Sequence, residues 1–151
     1  MWNRAPRWLT SLSRSGAGPP NVSRIILDAS ALLAILNDEP GEEKLTSQPG
    51  LLSEAAISTV NPAEVQGKLV ERGIAPEEAW QAAFSPINQV LVFTREHARL
   101  AGCLLPKTRH LGLSLGDRAC LAVGMTLKAP VYTAGRDWKK LRLAVSIHVI
   151  R

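Results

Sequence analysis

The chain has 151 residues, 46% of them hydrophobic, and a mean hydropathy near zero, which suits one globular domain with a sizeable core. No apolar run approaches the roughly 20 residues of a membrane-spanning helix, so a helical membrane protein is excluded for this stretch of sequence. The net charge of +5 is unevenly placed: residues 1–24 hold Arg4, Arg7, Arg14 and Arg24 and no acid, while the other 127 residues are nearly neutral, so net charge gives no support for a broad basic nucleic-acid face.

Residues 1–23 read as a disordered basic tail, rich in Ser, Gly and Pro and without apolar periodicity. A globular domain is expected over residues 24–151. It opens with Ile25, Ile26 and Leu27, a short apolar run that suits a strand buried on both faces. Asp28 ends that run, Ser30 follows, and Ala31 to Leu36 form an apolar helical segment. In an open α/β sheet ligands bind outside the carboxyl ends of the strands, which is where Asp28 falls. Asp28 and Ser30 are equally good helix N-caps.

Downstream, Glu42 to Ser47 suits a short helix and Ala55 to Ser58 a second strand. Asn61-Pro62 is expected to open a helix, with Asn61 as its N-cap and Pro62 in its first turn, and Gly73 to end it. Helical patterns follow from Pro76 to Phe84, Arg95 to Leu105 and Ser114 to Leu127, and strands at Val90–Phe93, Val131–Thr133 and Val145–Ile150, with a helical turn over Asp137–Leu141. Strands alternating with helices predict a parallel sheet covered on both faces. Neither GxGxxG nor GxxxxGK[ST] is present, which disfavours dinucleotide-binding and P-loop proteins. Cys103 and Cys120, with no CxxC and no Cys/His cluster, read as buried free thiols in a reducing cytosol.

Three acids share one local setting. Asp28 follows a strand and opens a helix, Glu64 lies three residues after Asn61, and Asp117 lies three residues after Ser114. Each has a structural explanation, because Asn61-x-x-Glu64 and Ser114-x-x-Asp117 both match the capping box and the helix dipole favours an acid in a first turn. Together they suggest more. Helix starts in a doubly wound sheet can converge on one edge, crowded carboxylates repel, and a divalent cation relieves the repulsion. Oxygen donors without His or Cys favour Mg2+ or Mn2+. His97, His110 and His148 lie outside these motifs and read as surface or packing residues.

The four segments LDASALLAIL, ISTVNPAEV, LSLGDRACLAVG and VYTAGRDWKKL, in this order, resemble a PIN domain, and in particular the VapC-type ribonuclease toxins of toxin–antitoxin pairs. The resemblance covers about Ile25 to Arg151. It implies a three-layer α/β/α sandwich on a central parallel sheet, metal-dependent RNA cleavage in the cytoplasm, a cognate antitoxin and a homodimer. It places the family's three acids at Asp28, Glu64 and Asp117, as catalytic residues and metal ligands, with Ser30 and Thr133 as supporting polar residues. One departure stands out. The family commonly carries a fourth acid where this chain has Gly135, so metal occupancy is weakened by one ligand unless Asp137 compensates; Asp137 equally suits a cap for the turn anchored by Trp138. A carboxylate restored at Gly135 is expected to tighten metal binding, unless Gly135 holds a positive φ. Arg118 suits either a phosphate contact or an ion pair with a neighbouring acid.

Three functions compete: a metal-dependent endoribonuclease toxin, a catalytically weakened PIN-like binding module, and a phosphotransferase with Asp28 as nucleophile. The third is disfavoured because no second acid stands at Ala29 or Ser30.

Overall fold

Ile25–Leu27 (β1) is the middle strand of a five-stranded parallel sheet, and its three residues are all buried. A computed structural model describes residues 25–151. The basic tail expected over residues 1–23 lies outside the described residues. The sheet is completed by Ala55–Ser58 (β2), Gln89–Leu91 (β3), Val131–Thr133 (β4) and Ile147–Val149 (β5), in the order β3-β2-β1-β4-β5. Every pairing is parallel, with Ile26 opposite Ala56 on one side and Val131 on the other.

The helices that connect these strands are Ala29–Leu36 (α1), Glu43–Thr46 (α2), Val60–Glu71 (α3), Pro76–Phe84 (α4), Arg95–Cys103 (α5), Leu105–Thr108 (α6) and Leu115–Leu127 (α7). Strand alternation divides the core into two layers. Ile25, Leu27, Ala55 and Ile57 pack beneath α1, α3 and α4, through Leu32, Val65, Leu69, Ala79 and Ala83. Ile26, Ala56 and Val131 pack on the other face against Cys120, Leu121 and Val123 of α7 and against Trp138 and Leu141. The result is a three-layer α/β/α sandwich, as the strand–helix alternation predicts.

Several element boundaries differ from the sequence expectations. Asn61 is not an N-cap: α3 starts at Val60, directly after β2, and Thr59 in the cap position makes no side-chain cap bond. The amide of Asn61 is instead buried and used across the structure, as described below. The third strand ends at Leu91 rather than Phe93, because the Phe93 N–H turns off the ladder to donate to Thr59 Oγ1. The helix expected to run to Leu105 stops at Cys103, and α6 begins anew with Pro106 in its first turn, where a missing N–H costs nothing. β5 keeps only Ile147–Val149 of the expected strand. Cys120 is buried as expected, but Cys103 is exposed, since the amphipathic α5 turns that position to solvent. Among the described residues, no helix is long and apolar enough to cross a membrane.

Candidate active site

In this strand order the chain leaves β1 toward β2 and β3 on one side and returns at β4 on the other. The gap between β1 and β4 is thus the topological switch point, where a crevice forms at the carboxyl ends of the strands. Asp28 follows β1 and Thr133 ends β4, so the fold brings them together, with the Asp28 N–H donating to the Tyr132 carbonyl at 2.9 Å.

Asp28 is both the N-cap of α1 and the buried acid of this crevice. Its backbone is extended and it is 2% exposed. Its Oδ2 accepts from the Ser30 N–H at 3.3 Å, the Ser30 hydroxyl at 2.6 Å and the Thr133 hydroxyl at 3.0 Å. Ser30 Oγ in turn accepts from the Ala134 N–H, and Thr133 Oγ1 from the Gly135 N–H, both at 3.0 Å. Ser30 and Thr133 thus both bond Asp28 and tie it to the segment that follows β4. The other oxygen, Oδ1, is buried and has no hydrogen-bond partner. A buried acceptor left unpaired carries a desolvation cost, and a natural site normally has a use for it.

Glu64 and Asp117 meet at the start of α7. Ser114 caps that helix with the expected capping box: its hydroxyl accepts from the Asp117 N–H at 3.1 Å, and Asp117 Oδ2 accepts from the Ser114 N–H at 2.8 Å. The same Ser114 hydroxyl donates to Glu64 Oε1 at 3.1 Å. Glu64 Oε2 accepts from Asn61 Nδ2 at 3.3 Å, and Nδ2 also reaches the Gly116 carbonyl at 3.1 Å. The capping box expected at Asn61 and Glu64 is replaced by this link between α3 and α7.

The three acids feel one another. Burial, then the Asp117 charge and more weakly Glu64, push Asp28 up to about 7, against the opposing pull of Ser30 and Thr133. Burial, then Asp117, also raise Glu64, while its bonds from Ser114 and Asn61 lower it. The buried Cys120 thiol is raised well above its usual value by burial and by all three acids, which keeps it protonated and inert. Repelling carboxylates, one with a bare oxygen, form a donor set that fits a hard divalent cation. Among the described residues no three His, Cys, Asp or Glu side chains are already gathered as a metal site.

The remaining sequence candidates fall elsewhere. Asp137 neither joins the acids nor caps a turn: it is exposed and pairs with Lys140 at 2.6 Å, which holds its carboxyl below the usual range. Gly135 takes the cap position of the Arg136–Lys140 turn, with φ −73°, so it needs no left-handed backbone. Arg118 points its guanidinium at the Ala101 carbonyl, 2.8 Å away, tying α7 to α5 rather than pairing with an acid. His97 is a packing residue whose Nδ1 accepts from the Thr94 N–H, and His148 stacks on Tyr132 at the sheet edge. Sequence reasoning missed two residues, Asn61 as a cross-link and Gly116 as the surface it meets. A glycine in a helix's first turn, costly in propensity, was the available signal for the second.

A family model described as PIN domain matches residues 25–143. Solved structures share the fold at low identity. DNA-bound VapBC from Salmonella typhimurium superposes with a TM-score of 0.64 at 16% identity, covering 85% of this chain and 98% of that one. A toxin–antitoxin complex from Klebsiella pneumoniae gives 0.61 at 17%, covering 84% and 98%. VapBC-5 from Mycobacterium tuberculosis gives 0.54 at 20%, covering 85% and 98%. No curated protein matches the chain significantly.

Proposed function

Since the chain belongs to the PIN-domain family, we propose that it is a metal-dependent endoribonuclease, the toxin of a toxin–antitoxin pair, acting in the cytoplasm. The observation that carries this reading is the bare, buried Oδ1 of Asp28 in the crevice that Glu64 and Asp117 also charge. Asp28, Glu64 and Asp117 would hold a Mg2+ or Mn2+ ion. When bound, such an ion supplies Lewis-acid activation of water and neutralises charge on the phosphate. The chain's own residues do the rest. Ser30 and Thr133 fix Asp28 by Oδ2 and leave Oδ1 without a hydrogen bond. Ser114 and Asn61 hold Glu64 at the rim, where it orients the attacking water and accepts its proton.

The partners follow from the same reading. The structural neighbours with toxin–antitoxin names support an antitoxin partner, and a homodimer is expected by resemblance. Exposed apolar residues at Val92 and at Leu115, beside Asp117, offer surface for such contacts.

The test is RNA cleavage by the purified protein with Mg2+ or Mn2+. Cleavage should vanish in chelator and in Asp28→Asn, whose amide keeps the Oδ2 bonds and removes the charge. Wild-type rates from Asp28→Asn would overturn the assignment. One observation favours the second reading, a catalytically weakened binding module: among the described residues no fourth acid reaches the crevice, since residue 135 is Gly and Asp137 pairs with Lys140. RNA binding without cleavage under any divalent ion would select it.

A further inference from the structure

We propose that Gly116 is a positioning residue, the open seat on the first turn of α7 into which Asn61 and Ser114 hold the Glu64 carboxylate. A Cβ built on Gly116 would lie 2.6 Å from Glu64 Cδ and 3.0 Å from Oε1, and would overlap Oε2. No side chain larger than hydrogen leaves Glu64 where it is. The carboxylate is fastened there from both sides: Ser114 donates to Oε1, while Asn61 bridges Oε2 and the Gly116 carbonyl. Asn61 is fully buried, so this bridge is part of the packed interior rather than a surface contact. The seat lies over the helix N-terminus, whose dipole favours a carboxylate.

Gly116 is otherwise a poor choice. It occupies an ordinary helical position, buried, where alanine has the better propensity. The three atoms nearest the added Cβ all belong to the Glu64 carboxylate, the far end of a flexible side chain. Alanine at 116 therefore threatens the position of Glu64 more than the fold. The inference rests on the reading of Glu64 as a metal ligand, and the experiment separates the two.

Four variants decide it: Gly116→Ala, Glu64→Ala, the two combined, and the control Gly67→Ala, at an exposed position of α3 with open space around it. Mn2+ affinity is read by electron paramagnetic resonance of free Mn2+, without RNA, and Tm by calorimetry of the metal-free protein. Gly116→Ala should weaken Mn2+ binding by about tenfold to hundredfold, the range for groups that orient a ligand. Gly67→Ala should leave it unchanged. In the cycle, Gly116→Ala should raise Tm more when Glu64 is already alanine than in the wild type, because no carboxylate has to leave. If Gly116→Ala fails to fold while the double variant folds, the seat is equally demonstrated. Additive Tm changes, or a double variant that also fails to fold, would overturn the proposal, as would wild-type Mn2+ affinity in Gly116→Ala where the wild type binds the ion. A wild type that binds no Mn2+ would refute the metal reading alone; the Tm cycle would still decide the role of Gly116.

Discussion

Thr133 donates its hydroxyl to Asp28 Oδ2 at 3.0 Å, although 105 residues separate them. The bond ties the carboxyl end of β4 to that of β1 and fixes which oxygen of Asp28 stays bare. Thr133 also accepts from the Gly135 N–H, so it bonds in both directions. Thr133→Val keeps the shape and removes both bonds. It is expected to cost about 1–3 kcal/mol of stability, from the unpaired Gly135 N–H and the lost Asp28 bond. Since the Thr133 bond favours the ionised carboxylate, the acid limb of the cleavage–pH profile should move to higher pH. Denaturant unfolding and a pH–rate profile check the two outcomes.

Asp28 also sets a pH dependence of stability. Its folded pKa, about 7, lies above the unfolded value near 3.8, so the folded state binds the proton more tightly. The associated stability is fully present below about pH 4 and is lost as pH rises to 7. Glu64 is shifted in the same direction. For Asp28 the shift corresponds to on the order of 4 kcal/mol. Metal-free protein should thus lose stability between pH 4 and 7, and Asp28→Asn should flatten most of that slope. Urea midpoints across this range, in chelator, would reveal an unchanged slope if Asp28 is not responsible.

Restoring the family's fourth acid by Gly135→Asp should fail here. The backbone raises no objection, but a Cβ at 135 would sit 2.8 Å from Cδ1 and 2.9 Å from Nε1 of Trp138. Trp138 is a buried core residue and cannot simply swing away. We expect a loss of about 1–3 kcal/mol, as for overpacking elsewhere, and no gain in Mn2+ affinity. Tighter Mn2+ binding at unchanged Tm would show that the indole does yield.

Asp137→Ala should leave both cleavage per folded molecule and Mn2+ affinity unchanged, because its partner is the exposed Lys140. Exposed pairs contribute little to stability. Abolished cleavage would mean that the fourth acid has migrated two residues along the chain.

The two thiols should behave differently. Cys103 is exposed and should react with a maleimide in the native protein, while the buried, protonated Cys120 should react only after unfolding. Mass spectrometry of labelled native and denatured protein distinguishes one modification from two.

Local chemistry was readable from the chain alone. The apolar run at Ile25–Leu27, the Ser114 cap with Asp117, and Pro76 opening α4 follow from hydrophobic period, side-chain hydrogen bonding and fixed φ, none of which needs a partner distant in sequence. The alternation of strands and helices was enough to predict a parallel sheet and to put Asp28 at a strand end. What only the tertiary structure decided involves contacts between distant segments. Asn61 obeys the local rule for a cap, yet folding buries it against Gly116, 55 residues away, where its Nδ2 donates to the Gly116 carbonyl and to Glu64. Arg118 and Asp137 are equally ambiguous locally, and their outcomes were set by which carbonyl or lysine the packed chain brought near. The same holds for the bare oxygen of Asp28: its isolation is the combined result of burial and of Ser30 and Thr133 taking the other oxygen, an arrangement that reaches 105 residues along the chain.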